Sequence, residues 1–108
     1  EKPLADTLAA ADAMIAAAQA ANVHLLVGHH RRHHPRVQAL KRIIASGDLG
    51  RPVLGSLIWA MRKPDDYFDV DWRAGQNGGP IRQNLIHEVD TLRHLFGEVI
   101  HVSGFGSN

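Results

Sequence analysis

Apolar residues at Leu4, Leu8, Ala11, Ile15 and Ala18 recur at the three- and four-residue spacing of one helical face, with Asp6 placed to cap the start and Asn22 to stop it. The pattern then changes to the run Val23-His24-Leu25-Leu26-Val27-Gly28, short, rich in β-branched and Leu residues and nearly unbroken, as expected of a strand covered on both faces of a parallel sheet. Pro35 suits the first turn of a second helix, in which Val37, Leu40 and Ile44 form a stripe and Ser46-Gly47-Asp48-Leu49-Gly50 ends the run. Pro52 permits only the beginning or edge of a strand, and Val53 to Met61 supplies one, with Leu57, Trp59 and Met61 to one side. From Arg62 to Gly79 periodicity gives way to a polar stretch that still carries Tyr67, Phe68 and Trp72. Ordering such a loop costs about 1–2 kcal/mol per residue in backbone entropy, so its length in so short a chain points to a function. Pro80 opens a third helix, with Ile81, Leu85, Val89, Leu92 and Phe96 on one stripe and Gly97 as the stop, and Val99 to Phe105 reads as a last strand. The predicted class is α/β (α+β).

Composition adjusts this picture in three ways. With 108 residues, 44% hydrophobic and 21% charged, the chain has room for one core at most and is not disordered or of low complexity. Twelve Lys+Arg against eleven Asp+Glu leave a net charge of +1 with the signs interspersed, which argues against nucleic acid and anionic membrane as partners. The absence of cysteine removes disulfides, thiolate zinc sites and a cysteine nucleophile, and favours a cytoplasmic setting. The most apolar window, Leu4 to Ala21, is interrupted by Asp6, Asp12 and Gln19 and has neither the unbroken length of a membrane span nor the basic start of a signal peptide. The opening Glu1-Lys2-Pro3, without Met, reads as a piece of something longer.

Candidate chemistry concentrates in three places. On the third helix Asn84, His87, Thr91 and His94 share a face, with Gln83 beside them, and none is a fixed charge. Uncharged hydrogen-bonding groups with two imidazoles suit a polar cleft; the plainer alternative is a solvated face whose histidines do nothing. His29-His30-Arg31-Arg32-His33-His34 follows the first predicted strand, where open α/β sheets place ligands. A helix there would pair His29 with His33 and His30 with His34 at zinc-clamp spacing, but the flanking strand and Pro35 oppose a helix and no nearby carboxylate completes a set, so no metal ligand is assigned. Arg31 and Arg32 are read as orienting a polar substrate or pairing with the acidic loop. Lys2 precedes a proline, whose peptide bond can be cis and aims the residue before it.

The ordered landmarks Glu1-Lys2-Pro3, Val27 to Pro35, Ile44 to Gly50, Gly78-Gly79-Pro80 and Asn84-Leu85-Ile86-His87-Glu88-Val89-Asp90 resemble the glucose-fructose oxidoreductase and inositol dehydrogenase family, Gfo/Idh/MocA, from end to end of the chain. The resemblance implies a dehydrogenase of two domains, an amino-terminal Rossmann domain holding NAD or NADP and a carboxyl-terminal domain whose open sheet closes the site and carries homo-oligomer contacts. Residues 1–32 would then be the tail of the dinucleotide-binding domain and 33–108 the first part of the substrate-binding and oligomerisation domain. Lys2 matches the family lysine that reaches the nicotinamide ribose and the reacting hydroxyl, with Pro3 shaping the turn beside the cofactor. His87 matches the histidine that exchanges the substrate proton. Asn84, Arg31, Arg32, Tyr67, Trp72 and Arg73 would position a polyol, sugar or related substrate. Two positions depart from the pattern: Gln83 stands where many members carry Asp, and Asn77 replaces the first glycine of a triplet. A second reading, favoured by Gln83, is a non-catalytic ligand sensor or assembly module on the same fold. A piece of this size should bury roughly 65% of its extended surface and self-associate through an open sheet face, or be the ordered part of a longer polypeptide.

Overall fold

A computed structural model describes residues 1–75 and 78–106; the departure at Asn77 lies outside the described residues. Helix α1, Leu8–Ala20, follows the predicted face, but its cap is Thr7, whose hydroxyl accepts from the Ala10 amide at 3.2 Å. Asp6, one residue earlier, is left to line a surface hollow. Asn22 ends the segment with φ of 51°, the left-handed conformation that asparagine tolerates.

The histidine segment winds into a single tight turn, His30–His33, which is too short for the i, i+4 pairs a helix would have made. Helix α2, Pro35–Ser46, begins at the predicted proline, is capped by His34 Nδ1 accepting from the Arg36 amide, and stops at Gly47 with φ of 82°. The polar stretch, predicted to be irregular, contains a tight turn at Asp65–Asp69 and one helical turn, α3, Asp71–Ala74. Acidic residues in the first turn of each complement the exposed amides there.

The third predicted helix exists, and the side it packs inward is the polar one. Its winding passes through a wide i→i+5 turn at Ile81–Leu85 before settling into α4, Ile86–Phe96. Such a turn holds one residue more than an α-helical turn, so Ile81 and Leu85 are rotated relative to Val89, Leu92 and Phe96, while the apolar side of α4 itself is exposed because no sheet among the described residues covers it. Ile81 is 67%, Val89 46% and Phe96 48% exposed, whereas His87 and Asp90 are the buried residues. α4 packs against α2 and the histidine turn through this polar side.

Val23–Gly28, Val53–Met61 and Val99–Phe105 do not pair as the strands predicted for them, and among the described residues there is no sheet. A strand exists only where a neighbour takes up its amides and carbonyls, and no described segment lies alongside these three to do so. Correspondingly no apolar residue is fully buried. The exposed area is 9123 Å², against about 5,900 Å² for a globular monomer of 11.9 kDa. Folding therefore buries about half of the extended-chain area rather than the two thirds expected, because the apolar residues of the unpaired segments have no cover. The radius of gyration, 16.9 Å against about 13 Å for a compact chain of this length, reports the same openness.

Candidate active site

The polar side of α4 and the turn before it collect most of the sequence-predicted residues. Lys2 comes from the amino-terminal stretch, where the Lys2–Pro3 peptide is cis and Glu1 lies against Gly28 at the end of the Val23–Gly28 run. Its Nζ donates to the main-chain carbonyl of Gln83, one helical turn before His87. Lys2, Pro3, Tyr67, Trp72 and Arg73 line one hollow of about 480 Å³, with Asp6, Arg82 and Gln83 completing its wall. Asn84 faces a second, smaller hollow of about 230 Å³, where its Oδ1 accepts from Lys63 Nζ at 3.4 Å. Tyr67 and Gln83 form a shared partition between the two.

His87 is 8% exposed, with the rings of His30 and His29 edge-on at 4.8 and 6.3 Å. Its Nδ1 is buried without a hydrogen-bond partner, as is Nδ1 of His29. Burial, then the positive charges of Lys2 and Arg31 and the neighbouring histidines, hold the His87 imidazole below its ordinary value, so it is neutral near pH 7 and free to take a proton. Lys2 is also held below the usual lysine range, chiefly by burial and also by Arg31 and Lys63, against an opposing pull from Glu1. The Lys2 charge thus acts on His87, although His87 itself lines neither of the two hollows.

Arg31 and Arg32 do not reach the hollow lined by Lys2. Arg31 pairs with Glu88, and Arg32 grips Asp90 with Nε at 3.0 Å and a second bond from Nη2. Their carboxylates are on α4, not in the acidic loop. The Arg32 guanidinium holds the Asp90 carboxyl below the usual carboxylate range despite burial, a charge-assisted fork that fixes α4 against the histidine turn. His94 sits at the α2–α4 contact, 3.3 Å from Gln38 Nε2, and its carbonyl accepts from Lys41. The His29–His34 segment supplies two rings to His87, and among the described residues no group of three or more His, Asp or Glu is arranged to hold a metal.

Sequence reasoning missed two contributors and the partners of a third. Lys63 stands over the Tyr67 ring at 4.8 Å, His30 packs edge-on against His87, and Gln83, named for the residue it replaces, joins the loop to the Lys2 turn. A lysine directly preceding the aromatic loop was the available signal for Lys63; nothing local distinguishes His30 from its three histidine neighbours.

The family profile described as GFO/IDH/MocA C-terminal domain matches residues 37–108. The chain belongs to the GFO/IDH/MocA family. Relatives include a 1,5-anhydro-D-fructose reductase of Ensifer adhaerens, 34% identical over 98% of this chain and 34% of its own length. A D-apiose dehydrogenase of Paraburkholderia graminis is 36% identical over 95% of the chain and 27% of its own length. An inositol 2-dehydrogenase of Ralstonia nicotianae is 38% identical over 91% and 27%. The chain therefore spans between about a quarter and a third of the length of the curated relatives it matches, and these relatives are sugar and polyol dehydrogenases or reductases. No solved structure matches the chain. No helix among the described residues is long and apolar enough to cross a membrane.

Proposed function

We propose that this chain is the central part of an NAD(P)-dependent oxidoreductase that removes hydride from a secondary hydroxyl of a polyol, sugar or related compound, or returns it. In this reading residues 1–32 close a dinucleotide-binding domain of Rossmann type and 33–108 open the substrate domain, whose sheet forms, and carries homo-oligomer contacts, once neighbouring strands pair with Val53–Met61 and Val99–Phe105. The setting is cytoplasmic. The observation that carries the proposal is the approach of the Lys2 ammonium to the turn that leads into the buried, neutral His87.

The residues present suit the nicotinamide end of such a cofactor. The ammonium of Lys2 offers donors for ribose and substrate hydroxyls, and Trp72 and Tyr67 provide flat walls in a hollow large enough for a small ligand. Bound there, the nicotinamide would supply the hydride acceptor. The chain's own part is proton handling. An alcohol losing hydride must also lose its hydroxyl proton, and His87, kept neutral by burial and adjacent cations, accepts it. Lys2 donates a hydrogen bond to the oxygen as negative charge develops. Asn84, Tyr67, Trp72 and Arg73 orient the substrate from the two hollows, while Arg31 and Arg32 act at one remove by holding α4 through Glu88 and Asp90. The sensor reading draws on Gln83, which leaves His87 without the tuning carboxylate.

Steady-state absorbance of the reduced nicotinamide, recorded with the full-length protein containing this segment and a panel of polyols and sugars, tests the assignment. Turnover that disappears in Lys2→Met and His87→Asn is the expected result. Tight cofactor binding with no turnover of any hydroxylated compound would overturn it in favour of the sensor.

A further inference from the structure

Gln83 occupies an unusual crossing point. Its Oε1 accepts from the Tyr67 hydroxyl at 2.5 Å, its Nε2 donates to the Arg73 carbonyl at 3.2 Å, and its own main-chain carbonyl accepts from Lys2 Nζ. Arg73 in turn donates to the Tyr67 carbonyl at 3.1 Å and lays its guanidinium over the Tyr67 ring at 4.4 Å. The Tyr67–Arg73 part of the loop is thereby closed on itself and fastened to the turn through Gln83, with the longer Lys63–Asn84 bond lying ahead of it. Both polar atoms of the Gln83 amide are engaged, so the side chain is not offered to a ligand. It sits in the wide turn at Ile81–Leu85, where the ordinary i→i+4 ladder is displaced, as the Ile86 amide donating to the Ile81 carbonyl shows.

We propose that Gln83 is a positioning residue, a bracket that ties the Tyr67–Arg73 loop to the Lys2 ammonium and so sets the hydration of Lys2. The amide suits this and a carboxylate does not. Asp, shorter by one methylene, cannot span to both Tyr67 and Arg73, and no carboxylate can donate to the Arg73 carbonyl. A negative charge here would also draw the ammonium back toward full protonation. Lys2 is faced by Glu1 and Asp6 from its own segment, Arg31 from the histidine turn, Lys63 and Arg73 from the loop, Arg82 from the wide turn and His87 from α4. Loosening the loop admits water and draws the Lys63 charge away, and both changes raise the proton affinity of Lys2. The consequence for turnover rests on the dehydrogenase reading; the bracket itself does not.

The test uses the full-length protein containing this segment, with competitive amine acylation of Lys2 followed by peptide mass spectrometry across a pH series. In Gln83→Leu and in Tyr67→Phe, the latter losing only one hydroxyl, Lys2 labelling at slightly alkaline pH is expected to fall about threefold or more, with the half-labelling pH moving up. The double variant should do little more than either alone, because both remove one linkage. Gln83→Asp should move it furthest. Where the unaltered protein turns over a hydroxylated substrate, kcat should fall on the order of 10- to 100-fold in Gln83→Leu, the cost of displacing a catalytic group by about an ångström, while cofactor affinity holds. Unchanged Lys2 labelling in both single variants, or two independent additive effects, would overturn the bracket. Absence of turnover in the unaltered protein counts against the dehydrogenase reading alone, since labelling decides the bracket without it.

Discussion

The polar side of α4 and the apolar segments 53–61 and 99–105 are folded to different degrees. Around His87 and Asp90, three separate stretches of chain meet α4 and its preceding turn through directed bonds: Lys2 to Gln83, Arg32 to Asp90, Arg31 to Glu88, Tyr67 to Gln83. Along 53–61 and 99–105, Val53, Leu54, Ile58, Ile100, Val102 and Phe105 stand in solvent with no ladder and little packing beyond the Phe96 ring against Gly55. The usual order, an apolar core first and a site grafted onto it, is reversed. Charge-assisted pairs act between two or three groups and need no large enclosed volume, whereas hydrophobic burial needs a second surface on the other side. Exposed apolar area of this extent marks a surface made to be covered.

That contrast can be broken from either side. The largest effect belongs to the site: His87→Asn in the full-length protein should lower kcat by about 10²–10⁴, the usual worth of a placed base, with little change in substrate KM. Asp90→Ala leaves Arg32 facing a buried gap and should cost about 3 kcal/mol in urea unfolding, at the low end for a broken buried pair because the arginine keeps solvent contact. Gly78→Ala comes next. A Cβ there would overlap the carbonyl oxygens of Arg73 and Trp72, neither of which can move freely, so a loss of about 1–3 kcal/mol is expected by the same measurement.

Acid should act through His87 before it acts through Asp90. The imidazole of the folded chain lies below its ordinary value of 6.5, so on acidification below that value the unfolded chain takes up a proton that the folded chain refuses. Stability should therefore fall as pH drops from about 6.5, and His87→Asn should flatten this part of the profile. The Asp90 contribution persists until the carboxyl is protonated, below its ordinary 3.8. The smallest effect belongs to the open segments. Ile100→Lys, at a fully exposed position, should shift the unfolding free energy of the chain studied alone by no more than about 0.5 kcal/mol while reducing self-association in light scattering. A loss of several kcal/mol there would mean that the segment is already packed.

Helices were legible wherever the period was regular and the ends were marked, as at Pro35 and Gly47. The start of α1 was misplaced by one residue because Asp6 and Thr7 are both good caps and only backbone geometry chooses between them. The shared polar face of Asn84, His87, Thr91 and His94 was legible from spacing, whereas the wide turn at Ile81–Leu85 was not, since no residue type announces such a turn. Lys2 and His87 were singled out by the ordered motifs around them. The partners of Arg31 and Arg32 were not, since Glu88 and Asp90 lie more than fifty residues away and the nearer acidic loop offered four carboxylates.

The sequence by itself determined the helices of regular period, the ends of α2 and the family, because each of these depends on neighbours within a turn or on an ordered set of short motifs. The tertiary structure alone decided which face of α4 is buried, that Gln83 serves the loop in place of tuning His87, and that the arginine pair stabilises the helix. Those outcomes depend on distances between segments remote in the chain, and an ion pair or a hydrogen bond forms only when such a distance closes to about 3 Å.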